Sequence, residues 1–168
     1  SQMSTKVLFG FVLGMMMAID NGGPINKTAY VFSIGMLISY DYYPIAAVMA
    51  GGMIPPFVIA LTATLFKDRF EVRKDALMNY INGISFISEG AIPFIQKESQ
   101  IILPACCLSA GLAGALSMYF NCSIASPHGG LFLIWMVQNP ISYLSLIVCS
   151  TLVGTILLIL FTKLKKES

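Results

Sequence analysis

Asp20, Lys27, Glu89 and His128 each lie in a short Gly/Pro-rich break between hydrophobic runs. An ionisable group at membrane depth is costly, so it pairs, faces a cavity or serves a function. Helix breaks of this kind are how carriers assemble solute sites from discontinuous helices. The placement of these residues therefore constrains the fold to a membrane protein with a polar interior. It points to the transport of a polar solute.

Composition agrees. Of 168 residues, 57% are hydrophobic and 11% charged, with mean hydropathy +0.79. Soluble domains carry about 25% charged residues. The four cysteines show no metal or redox spacing, and Cys106 and Cys107 are adjacent in an apolar run; they read as small core residues. No cleavable signal is recognisable: Lys6 precedes an apolar stretch that no small-residue site closes.

Runs 45–66, 101–120 and 142–162 are long enough to cross a bilayer, which takes ~20 apolar residues. The first contains Pro55-Pro56, which should kink or break its helix. The second carries Ala110, Gly111, Gly114 and Ala115 at spacings that suit close helix contact. Runs 7–19 and 28–40 are shorter, roughly 20 Å each as helix. They form either one broken span or a span plus a surface helix. Gly10 and Gly14 add a weak GxxxG signal.

Lys67, Arg69, Arg73 and Lys74 crowd one loop, and Lys163, Lys165 and Lys166 follow the last run. Both clusters should be cytoplasmic. Two crossings already join them, so segments 76–95 and 124–137 can add no net crossing. Each should enter and leave on one side as a re-entrant hairpin, from opposite faces, with tips near the midplane. The expected fold is all-α and polytopic, with broken helices and two re-entrant hairpins. Loop 67–75 also holds Asp68, Glu71 and Asp75 and reads as a solvated membrane-surface turn, so no nucleic-acid partner is expected.

Glu89, with Gly90 next and Pro93 four on, reads as a hairpin tip. A buried carboxylate there could accept two vicinal sugar hydroxyls through charge-assisted bonds; the alternative is a water-exposed loop Glu. Asp20 and Lys27 could neutralise each other across the Gly22-Gly23-Pro24 turn, as a structural pair or with a direct solute role. Asn21 and Asn26 add amide donors and acceptors. His128, the sole histidine, can bond a hydroxyl in either tautomer or satisfy backbone carbonyls. It has no partners for a metal site. Trp135 and Tyr40, Tyr42 and Tyr43 read as interface anchors.

Four strings carry a resemblance: MAIDNGGPINKTAY (17–30), AAVMAGGMIPP (46–56), ISFISEGAIPF (84–94) and SPHGGLF (126–132). Together they resemble the fructose-specific membrane component, IIC, of the bacterial phosphoenolpyruvate-dependent sugar phosphotransferase system. The similarity runs in order through nearly the whole chain. It implies a multi-pass protein of the bacterial inner membrane that binds a hexose, usually fructose, and works by alternating access. A phosphocysteine on the IIB domain would phosphorylate the sugar, and no cofactor is needed. Glu89 is the residue the resemblance marks as sugar ligand; His128, Asp20, Asn26 and Lys27 match motif positions. A IIC domain of the family is longer than this chain, which resembles its C-terminal, sugar-holding half. The resemblance implies a homodimer held through the N-terminal part, and IIA and IIB domains outside residues 1–168. Glu89 could also act as general base toward the attacked hydroxyl. The alternative from another class is an ion-coupled secondary transporter using Asp20, Lys27 and Glu89 as a relay. An intramembrane enzyme would need a signature that the chain lacks, and a purely structural subunit would not account for charges in helix breaks.

Overall fold

The computed structural model describes residues 2–167. Its elements in order are α1 (Gln2–Ile19), α2 (Pro24–Ile38), α3 (Tyr43–Leu65), α4 (Arg73–Ile84), α5 (Ile92–Lys97), α6 (Ser99–Tyr119), β1 (Ser123–Ile124), β2 (Val137–Gln138) and α7 (Pro140–Glu167). A 3-10 turn occupies Ser88–Ala91, and Leu131–Met136 forms two short 3-10 turns kinked at Leu133. The fold is all-α apart from the two-residue β1–β2 ladder. Among the described residues, α1, α3, α6 and α7 are long and apolar enough to span a membrane.

Three of these answer the runs 45–66, 101–120 and 142–162. The fourth, α1, begins at Gln2, so polar residues extend the 7–19 run into an 18-residue helix of roughly 27 Å. Phe9 of α1 and Phe32 of α2 stack edge to face at 5.8 Å. The chain therefore doubles back after Ile19. Segment 7–40 is two antiparallel helices, and the single-broken-span alternative is replaced.

α3 is the centre of the fold, buried almost throughout from Pro44 to Ala63. It runs through Pro55-Pro56 without the expected break. The prolines supply no N–H to the carbonyls of Gly51 and Gly52, yet packing from neighbouring helices holds the segment helical. The two glycine signals mate with each other. Gly10 and Gly14 of α1 lie on Ala110 and Gly114 of α6, so close that a Cβ on Gly14 would overlap the Ala110 carbonyl. Gly51 of α3 closes on the same point, its ideal Cβ 2.7 Å from the Gly14 Cα. Backbone approach of this kind is how apolar helices associate where hydrophobic burial gives no drive.

Lys6 marks one end of the bundle. It donates to Asn121 Oδ1 at 2.6 Å and sits 3.8 Å over the Tyr43 ring, so α1 and α3 start where α6 ends. The basic loop, Glu98 and the end of α7 share the opposite end, where Arg69 Nη2 reaches Thr162 Oγ1 at 3.3 Å. From that end α4 and α5 rise and return as a hairpin. Its base is clamped by a two-bond Arg69–Glu98 pair (2.8 and 2.7 Å) and a Lys97–Glu71 pair at 2.6 Å. From the Lys6 end, loop 125–136 leaves and returns through the antiparallel β1–β2 pair. The two reversals meet tip to tip: an ideal Cβ on Gly130 would lie 2.7 Å from the Ile84 carbonyl oxygen, and one on Gly129 2.9 Å from Phe86 Cγ. The cysteines are free. Cys106 and Cys122 are buried and Cys107 half-buried, as core residues, while Cys149 is exposed on α7.

Candidate functional site

The break between α1 and α2 is built by Asp20. Its Oδ2 accepts the Ile25 N–H at 2.7 Å and its Oδ1 the Asn26 N–H at 3.0 Å. A carboxylate there satisfies orphan donors of α2 and meets the positive end of its dipole. Lys27 makes no ion pair with Asp20. It is exposed beside Thr28, Val31 and Phe32 on the outward face of α2. The neutralising pair suggested by the sequence is therefore not formed, because two backbone donors already hold the carboxylate.

Asn26 is buried and its Nδ2 donates to the Met17 carbonyl at 2.7 Å, joining α2 to the end of α1. Asn21 takes a left-handed backbone (φ 41) and donates to the Ala18 carbonyl at 2.8 Å. Its Oδ1 is buried with no hydrogen-bond partner. Next to it Gly22 has φ 101, and an ideal Cβ there would lie 2.6 Å from Glu89 Oε1. Only glycine lets the chain pass so near the carboxylate in that conformation.

Glu89 occupies the 3-10 turn Ser88–Ala91. It is exposed, the second of the two readings the sequence left open, and no ion pair among the described residues engages it. A hydrated, uncommitted carboxylate is an acceptor ready for hydroxyl groups. His128 is also exposed, its Nδ1 3.4 Å from the Gly129 carbonyl and its backbone N–H donating to Ser126 Oγ at 3.3 Å.

Two further residues tie these breaks together. The Tyr30 hydroxyl donates to the Pro127 carbonyl, linking α2 to the His128 loop. Phe86 holds a left-handed backbone (φ 60), an outlier for a bulky residue. Its ring lies against Gly52 of α3 and Gly129. Tyr30 carried a signal, since it falls four residues after Asn26 on the same face of α2. Phe86 carried none, because its role depends on a backbone conformation that its residue type disfavours. The structure thus brings the 20–23 break, Glu89 and the His128 loop together beside Gly52, near the middle of α3, and leaves Lys27 out.

The fold and site define a polytopic helical membrane protein in which three chain breaks adjoin one another, with the carboxylate of Glu89 against the first of them. Comparison supplies the relatives. The chain is 44% identical over 154 residues to the PTS system fructose-specific EIIB'BC component of Vibrio cholerae, covering 90% of this chain and 26% of that protein. It is 41% identical over 163 residues to the fructose permease IIC component of Bacillus amyloliquefaciens, 96% of this chain and 53% of that one. The fructose-specific EIIC component of Haloferax volcanii is 37% identical over 153 residues, 90% of this chain and 41% of its own length. The chain is a homologue of the fructose-specific IIC and IIBC components of the phosphotransferase system, and spans a quarter to about half of their lengths. No protein-family model and no solved structure matches it.

Proposed function

We propose that the chain is the sugar-holding part of a fructose-type IIC component. It carries a hexose across the bacterial inner membrane, and a phosphorylated IIB domain phosphorylates the sugar. The observation that supports this best is the free carboxylate of Glu89 against the first of three adjoining breaks. Helix interruptions gathered at one depth leave backbone and side-chain polar groups for a solute that water would otherwise hold. The relatives' names give fructose as the substrate, and IIB joined to IIC as the partner.

In this reading Glu89 accepts two sugar hydroxyls, with His128 as a further contact. Asp20 and Asn26 fix the wall of the site by holding α2 to α1, and Lys27 takes no part. Phosphoryl transfer breaks the phosphorus–sulfur bond on IIB and forms a phosphorus–oxygen bond to the sugar. The hydroxyl proton passes to Glu89 as general base. The two chain reversals dip into the bilayer from opposite faces, and the functional unit is a homodimer held by parts outside residues 1–168.

The test uses inverted membrane vesicles containing the whole component, with phosphoenolpyruvate and the general phosphotransferase proteins. Labelled fructose should become fructose phosphate only when phosphoenolpyruvate is present, and Glu89→Gln should abolish it. Accumulation of unmodified sugar driven by an ion gradient would overturn the proposal.

A further inference from the structure

A cavity of about 780 Å³ lies between the basic loop and the two limbs of the α4–α5 hairpin. Gly90 is in its wall, so one end of it is a single residue from Glu89. The other end carries Arg69, Glu71, Lys97 and Glu98, the residues that clamp the hairpin base. Asp75, Asn79 and Asn82 follow at i, i+4 and i+7 on one face of α4. Asn79 Nδ2 donates to the Asp75 carbonyl at 3.4 Å and Asn82 Nδ2 to Asn79 Oδ1 at 3.2 Å. A Cβ on Gly90 would overlap both amides. The cavity therefore runs from beside the Glu89 turn to the basic end, past Met78, Pro93 and Phe94, with the Asn79 and Asn82 amides packed against Gly90 rather than in its lining.

Arg69 lines the basic end of the cavity. Its Nη1 and Nη2 hold the two oxygens of Glu98, while its Nε is buried and has no partner. A buried donor left unpaired is costly, more so on a cation. A guanidinium fork fits phosphate as well as it fits carboxylate. A phosphate entering the cavity can compete with Glu98 for the fork, and displacing Glu98 would uncover Nε for it. A neutral hexose has no oxyanion with which to do so.

We propose, resting on the functional reading above, that this cavity is the exit path of the hexose monophosphate. Its phosphate displaces Glu98 from Arg69 and so loosens the hairpin base. The clamp then yields to the phosphorylated sugar and not to the free one, which couples release to phosphoryl transfer. Glu71 and Asp75 in the same wall repel a dianion, with Lys97 already paired to Glu71. The stay is therefore brief, as suits an exit.

The test is equilibrium binding of labelled fructose monophosphate to the whole purified component, with free fructose as control. Arg69→Gln should weaken monophosphate binding about tenfold, the loss of a charge-assisted bond. Glu98→Gln frees Arg69 and should tighten it several-fold. Fructose binding should stay within about twofold in both. A pair that only clamps the hairpin would move both variants in the same direction, and that result overturns the inference. If Arg69→Gln does not fold, Glu98→Gln decides alone: tighter binding supports, unchanged or weaker binding overturns. A wild type that phosphorylates fructose but fails these comparisons sinks this inference only. A wild type that makes no sugar phosphate sinks the functional reading, and this one with it.

Discussion

Asp20 and Lys27 stand seven residues apart, yet the structure gives them different work. Asp20 caps α2 through two backbone N–H groups, and Lys27 faces outward. Asp20→Ala should therefore cost about 1 kcal/mol of stability, read as a lower melting point in detergent, with Asp20→Asn losing less. Lys27→Ala should leave fructose phosphorylation in vesicles near wild type; its abolition would put Lys27 in the site after all. The sequence made it legible that polar residues sit in the breaks, because charges in apolar runs stand out. Their partners were hidden, because a carboxylate beside a helix start has backbone donors available without fixing a long lysine side chain. Phe86 was hidden for another reason: its left-handed backbone follows from packing against Gly52 and Gly129, which local sequence does not encode.

Hydropathy located α3, α6 and α7, and small-residue spacing marked both faces of the α1–α6 contact. What the spacing did not disclose is that those two faces meet each other, since one stripe of glycines does not name its mate. The contact is sensitive to size. Gly114→Val would press into the Gly10 carbonyl and should destabilise the fold by ~3 kcal/mol or more. Gly35 in the middle of α2 has open space around its Cα, so Gly35→Ala should stabilise by about 0.5–1 kcal/mol. Melting the two variants side by side checks both; equal effects would mean that α1 and α6 are not packed this closely. Pro55-Pro56 shows the limit of a local rule. A proline pair breaks an exposed helix, whereas α3 is enclosed by its neighbours and stays continuous.

Across the whole molecule, two backbone reversals fall in segments 76–95 and 124–137, for which charge counting in the loops expects re-entrant hairpins. The α4–α5 hairpin starts and ends at the basic face, loop 125–136 starts and ends at the opposite one, and their tips touch. The hairpin base depends on pH. The hydrogen bond from Arg69 holds the Glu98 carboxyl below its ordinary value against the opposing effect of burial, with further help from the charges of Arg69 and Lys165. A depressed carboxylate contributes stability above its unfolded pKa and loses it as pH falls through the folded one. Melting temperature should therefore drop on acidification below about pH 4.5, and drop less in Glu98→Gln; identical profiles would mean that the pair contributes nothing. The central claim is that the breaks form one sugar site around Glu89. Equilibrium binding of labelled fructose to the whole component, with no phosphoryl donor present, tests it most directly. Glu89→Gln, and Gly22→Ala which forces a methyl toward that carboxylate, should each weaken binding at least about tenfold while the protein still melts cooperatively. Wild-type affinity in both variants would contradict the account.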